Sequence, residues 1–457
     1  MKMNWKTAKK TAITLPLSAV LLTGVGVGSI SASGHGGEAP EMSHPTIDTA
    51  ALELRTHLSH YLSEHGFLAV ETMRNGAAGS ADFEASAMAL SANTEDLTAA
   101  ITSVYGEEAG QAFHDMWSAH IGYFVDYVKA TGAEDEAAKQ EALDELAQYK
   151  ADFSSFLEGA TDERLDADAL AEGLQMHVNQ LIGAFDSYVA GDFEQAYMYE
   201  REAIEHLHGV AKGLSVAIVD QFPEEFNNTK ADTPAGELRA HLGHLLSEHA
   251  GLATIVMQNG LSGSEEFEAS AAALSTNTED LTAAIASVYG EEAGQAFEEM
   301  WSEHIGYFVD YTEATAAGDE AAKQEALDEL SMYKEDFSAF IATATDGEVP
   351  AEEMANGLQM HIEQLTTALD LYAAEDYEAA FEEIRTAYAH MYGAAEGLSG
   401  GIVNQMPEKF SADMPGMPET GMGGTADSAN MAWMLWALPF LALAGGFVVA
   451  RRKEQAE

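Results

Sequence analysis

The stretch LRTHLSHYLSEHGFLAVETM at residues 54–73 is written a second time as LRAHLGHLLSEHAGLATIVM at residues 238–257, an offset of 184. That offset holds without a gap to Phe226 and Phe410, through NTEDLTAAI, SVYGEEAGQAF, HIGYFVDY and AAKQEALDEL. Solenoid repeats have periods of about 20–50 residues, so a unit this long is a duplicated domain. Within the quoted stretch Leu54, Leu58, Tyr61, Leu62, Leu68 and Ala69 recur at helical spacing. The stretch therefore reads as one long amphipathic helix.

The same periodicity predicts six helices in the first copy, at about 49–75, 81–104, 107–131, 135–158, 167–190 and 192–221. Gly, Asp and small residues break them, Ala, Glu and Leu dominate, and no stretch alternates like a strand. The expected fold is all-α, with two tandem homologous helical-bundle domains of about six helices each. They cover residues 48–226 and 237–410, joined by a linker at 227–236, and a C-terminal transmembrane helix follows.

The ends of the chain supply the rest of the expected topology. Residues 1–34 carry Lys2, Lys6, Lys9 and Lys10, an apolar run and small residues ending SASG, the layout of a secretory signal peptide. Residues 411–430 form a Pro/Gly/Met-rich flexible spacer. MAWMLWALPFLALAGGFVVA at 431–450 is long and apolar enough to span a bilayer, and Arg451, Arg452 and Lys453 open a cytoplasmic tail at 451–457. The expectation is a single-pass cell-membrane protein with the bulk of its chain extracellular.

Composition narrows the function classes. The chain has 76 acidic and 21 basic residues and a formal net charge of −55, yet 47% of its residues are hydrophobic. Evenly spread acids over a normal core resemble the surfaces of proteins from salt-loving organisms, where ionic strength screens self-repulsion. That resemblance implies a haloarchaeal-type acidic surface protein. The charge argues against nucleic acid and against anionic lipid surfaces as partners. The 457 residues include no cysteine, which removes disulfides, zinc–thiolate sites, iron–sulfur clusters and thiol catalysis.

Histidines carry the functional signal. His65 lies at the centre of the first helix's apolar stripe. His120 falls on the stripe of Phe113, Met116, Trp117, Phe124 and Tyr127, and His177 on that of Leu170, Leu174, Leu181, Ala184 and Tyr188. His206 lies on or beside the seam of the sixth helix. The second copy repeats them as His249, His304, His361 and His390. Inward side chains on facing helices build metal sites in bundles, and neutral imidazole is the commonest protein metal ligand. An all-nitrogen site suits copper, iron or zinc. Met116, one turn before His120, and Met176, next to His177, tilt the expectation toward copper. Haem held by two of the histidines is a further branch, and core histidines satisfied by ordinary partners are the competing explanation.

Secondary candidates are His57, His60 and Glu64, with His241, His244 and Glu248 in the second copy, each trio on one helix flank. They lie toward the edge of the apolar stripe, where a solvated polar flank competes with chelation. Asn93 and Asp96 are candidate partners for a histidine, and Arg55 and Arg201 are expected to pair with acids near the bundle ends. His114 and His208, which the second copy does not share, are expected at the surface. No nucleophile elbow, phosphate loop, dinucleotide fingerprint or HExxH signature occurs, so no catalytic residue is assigned.

Phrases such as LLSEHAGLA, NTEDLTAAI, SVYGEEAG, MWSEHIGYFVDY and LQMHIEQL resemble helical modules of secreted bacterial and archaeal proteins, some described as copper-amine-oxidase-like. A copper amine oxidase proper is β-rich with a cofactor-forming tyrosine, and this chain departs from it in both respects. The resemblance implies a secreted helical module. The residues themselves leave three functions open. The first is a surface protein whose bundles bind a metal or haem for capture, storage or electron transfer. The second is a cofactor-free structural or interaction protein of the envelope with a protein partner. The third is an enzyme doing redox chemistry at an open position of a histidine-held metal, with no substrate indicated.

Overall fold

The computed structural model describes residues 44–411, all within one compact unit. Twelve α-helices follow one another: α1 (Ala50–Ala78), α2 (Phe83–Tyr105), α3 (Glu107–Gly132), α4 (Glu136–Ala160), α5 (Ala167–Val189) and α6 (Phe193–Gln221) form the first repeat. The second contains α7 (Pro234–Ser262), α8 (Phe267–Tyr289), α9 (Glu291–Ala317), α10 (Glu320–Ala344), α11 (Ala351–Ala373) and α12 (Tyr377–Gln405). A short 3-10 turn at Pro407–Phe410 follows. Among the described residues there is no strand, as the periodicity predicts. None of these helices is long and apolar enough to cross a membrane. The expected leader at 1–34 and span at 431–450 lie outside the described residues.

Local chemistry sets the helix ends. The Thr49 hydroxyl accepts the Leu52 amide at 3.2 Å, and Asp135 accepts the amides of Ala137 and Ala138, each at 3.1 Å. Such caps satisfy amides that have no partner within the helix. Gly79 and Gly263, with φ of 61° and 63°, end α1 and α7 in the left-handed conformation that suits glycine. The stop at Gly79 carries α1 three residues beyond its expected end.

α1 packs along α6, α2 and α7, and α7 packs along α12 and α8. The repeats do not pack side by side as closed bundles. α12 of the second lies on α2 of the first, and α6 lies on α8 in return. The central hydrophobic core draws Phe67, Leu68 and Ile204 together with Leu252, Ile255 and Tyr388 from the other repeat. Two further cores lie one in each repeat, around Trp117 and Phe153 and around Trp301 and Phe337. Fully burying each such side chain is worth about 1.5–3 kcal/mol, so the shared core contributes to holding the two repeats together.

The contacts between repeats are reciprocal. Arg55 donates to Glu237 at 2.8 and 2.9 Å, and Arg239, the matching residue of the second copy, donates to Glu53. Arg201 binds Glu248 and Asp280, while Arg385 binds Glu64 and Asp96. The arginines do pair with acids, but across the duplication. Reciprocity of this kind is the signature of a two-fold, isologous interface. Near its axis the Phe67 ring rests on Gly251, which holds the position of Phe67 in the second copy; a Cβ there would come within 3.1 Å of the ring.

Candidate metal centre

Three helices of the first repeat each bring one histidine inward. His65 of α1, His120 of α3 and His177 of α5 are 0%, 2% and 5% exposed, and one ring nitrogen of each lies within 4.8 Å of the others. His249, His304 and His361 repeat the arrangement in α7, α9 and α11. The His249 and His304 Nε2 atoms are 3.4 Å apart. Two nitrogens each about 2.0–2.1 Å from a tetrahedral ion lie about 3.3–3.4 Å apart, so this pair, which as it stands is at hydrogen-bond distance, also has the span of two ligands.

Aromatic rings wall the triads. Tyr149 stacks on His120 with ring centres 4.8 Å apart, and Trp117 lies 4.7 Å from both His65 and His120. Tyr333 and Trp301 repeat these contacts on His304 and His249. Within the walls polar atoms lack partners: both nitrogens of His65 and of His177, the Tyr149 hydroxyl and the Trp117 indole N–H. The second repeat leaves the His249 and His361 Nδ1 atoms, the Tyr333 hydroxyl and the Trp301 N–H in the same state. Buried polar groups are nearly always hydrogen-bonded, so this concentration sets the triads apart from the rest of the core as the candidate site.

Burial also sets the protonation state. It drives the His65, His177, His249 and His361 imidazoles well below their usual range, with each neighbouring histidine adding to the effect. Burial takes His120 and His304 down to about 3, against a small opposing pull from the Trp117 and Trp301 backbones. All six rings are neutral at neutral pH, the form in which imidazole binds a metal.

Helix geometry places the other candidates elsewhere. His206 and His390 are half-buried, their Nε2 atoms 3.0 and 3.1 Å from the carbonyls of Gly173 and Gly357. They sit beside His177 and His361 and stay outside the triads. Met176 is 50% exposed and brings no thioether inward.

The His57, His60 and Glu64 flank is neither a chelate nor a solvated face. It is part of the surface between the repeats. Arg385 grips both oxygens of Glu64, and Asn93 Nδ2 donates to Glu64 Oε2 at 2.7 Å. His60 lies among the rings of Tyr61, Tyr388 and Tyr392. Glu248 is held likewise by Arg201 and Asn277. Asn93 and Asp96 thus serve the ion pair and not a histidine. His208 is a correction: it is 6% exposed and stacks on His244 of the other repeat, ring centres 5.1 Å apart. His114 is partly exposed and bonds Glu95 at 3.1 Å. The sequence marked this flank as a candidate chelate and not as an interface, because a single repeat does not reveal what its partner covers.

Among the described residues one further acidic group, Asp48, Glu53 and Glu396, gathers at the surface, where Arg239 binds two of its members. Comparisons with known protein families, curated proteins and solved structures found no match to this chain.

Proposed function

We propose that each repeat binds one transition-metal ion through its three buried imidazoles, and that the protein captures, stores or passes electrons through these ions. The observation that carries this reading is the convergence of three buried, neutral imidazoles in each repeat, with Nδ1 of every one of them lacking a protein partner. Three nitrogen ligands without a carboxylate suit copper or zinc better than iron. Copper remains the first expectation on ligand chemistry, although the exposure of Met176 removes one of its supports. Three protein ligands leave a fourth position open. Haem ranks below a bare ion, because aromatic side chains pack directly on the ligand rings and a macrocycle needs a wide slot between two of them.

The placement of the protein belongs to the same proposal. Read from the sequence, the leader at 1–34, the span at 431–450 and the basic tail put both repeats outside a cell membrane, and the acidic composition fits a salt-rich exterior.

The cofactor-free envelope protein is the second reading. His206 and His390, each satisfied by a backbone carbonyl, are what buried histidines of such a protein look like. One experiment separates the two. The exterior region, purified in high salt without a histidine tag, is analysed for metals and then offered copper(I), copper(II) and zinc. Two ions per chain support the metal proposal; no bound ion in either state leaves the envelope reading standing.

A further inference from the structure

The two repeats differ in chemistry where the C-terminal half of α1 meets α6. The first copy has Glu71, Arg74, Tyr197 and Glu200, and the second has Ile255, Gln258, Phe381 and Ile384 at the matching positions. Arg74 donates to Glu71 Oε2 at 2.6 Å and to Glu266 Oε2 at 3.0 Å. The Tyr188 and Tyr197 hydroxyls also donate to Glu266, at 3.0 and 2.9 Å. Glu266 is therefore well satisfied. Glu71 Oε1 and Glu200 Oε1 are buried without a partner. Glu200 is 1% exposed and lines a small void together with Arg74, Tyr188, Tyr197, Val70 and Leu181.

Charge makes this arrangement informative. Glu71, Glu200, Glu266 and the adjacent Asp82 are all buried carboxyls, and Arg74 is the one guanidinium among them. An uncompensated charge in an interior is too costly to keep, so something positive accompanies them. A metal ion needs several oxygens converging within ligand distance, and these carboxyls do not converge in that way. A proton needs only one of them.

We propose that Glu200 holds a proton, as a buried acid that only the first repeat possesses. Its Oε1 is unpartnered beside the void it lines with Arg74, and Arg74 is already held by Glu71 and Glu266, so the neutral carboxyl is the form this cluster can keep. The titratable groups around Glu200 are Glu71 and Arg74 from α1, Tyr188 from α5, Tyr197 from α6 itself, Glu248 from α7 and Glu266 at the N-cap of α8. Burial raises the Glu200 carboxyl well above the usual carboxylate range, the nearby carboxylates add to this, and Arg74 opposes it. The site stands independently of the metal proposal.

The test compares the protein with Glu200→Gln, which keeps the shape and removes the titration. The native protein retains a proton that the unfolded chain gives up above about pH 4.3, so its stability falls as pH rises. The expected result is a ratio of unfolding constants, wild type over variant, that grows about tenfold per pH unit above that value until Glu200 ionises in the fold. At neutral pH the wild type also shows the infrared carbonyl band of a protonated carboxyl, which the variant lacks. A ratio flat with pH and no such band overturn the proposal. So does selective stabilisation of the wild type by added sodium, potassium or calcium, which identifies a cation in place of the proton. If Glu200→Gln does not fold, the fourfold change Glu71→Ile, Arg74→Gln, Tyr197→Phe and Glu200→Ile installs the packing that the second repeat already uses, and the same comparison is made with it.

Discussion

Arg385 closes on Glu64 with two hydrogen bonds of 3.0 Å, joining α12 to α1. Glu64 is 1% exposed, so the guanidinium is what makes an ionised carboxylate tolerable there. Removing one partner of a buried pair costs about 3–5 kcal/mol, because the other charge is left alone. Arg385→Ala is expected to lower stability by about 3 kcal/mol in urea unfolding, and Glu64→Gln in the same chain to restore part of it. Two changes whose effects simply add would show that the residues act independently.

The proposed metal sites make the triad histidines, and not His206, the ones on which ion binding depends. Starting from two ions per chain, His120→Ala or His177→Ala is expected to leave one, and His206→Ala to leave both. Elemental analysis of the purified variants reads this directly. Loss of an ion in His206→Ala, with none lost in His120→Ala, would place the site elsewhere in the bundle.

Acid is expected to destabilise the metal-free protein early. An unfolded histidine takes up a proton below about pH 6.5. The fold refuses that proton down to about 3 at His120 and His304. The native state thus binds fewer protons than the unfolded state across this window, and stability falls as pH drops through it. Each such histidine contributes about 2 kcal/mol of loss between pH 6.5 and 5. His120→Phe should flatten the thermal-stability profile by that amount; a profile parallel to the wild type would mean that His120 is protonated in the fold.

The crossing of α1 and α7 has little slack. Gly251→Ala would set a methyl group 3.1 Å from the Phe67 ring. Overpacking of this kind costs about 1–3 kcal/mol. Phe67→Leu is expected to recover part of the loss, and thermal unfolding of the single and double variants checks it. A fully neutral Gly251→Ala would indicate that the two helices can move apart freely.

Helix positions and the inward histidines were legible in the sequence because both depend on local periodicity. The stripe of Leu54, Leu58 and Leu62 fixes a face of α1 whatever packs against it, and His65 belongs to that face. The duplication, the all-α class and the seam positions of His120 and His177 follow in the same way. What the periodicity left open is which residues meet across distance. His206 and His177 both occupy seams, yet α6 turns His206 onto the Gly173 carbonyl and α5 turns His177 toward His65. Glu64, His60 and His208 read as polar flank in one repeat because the face that covers them belongs to the other. A helix encodes its own apolar stripe, but the partner of that stripe is chosen by packing among the twelve α-helices of the described residues. Only the tertiary structure could decide it.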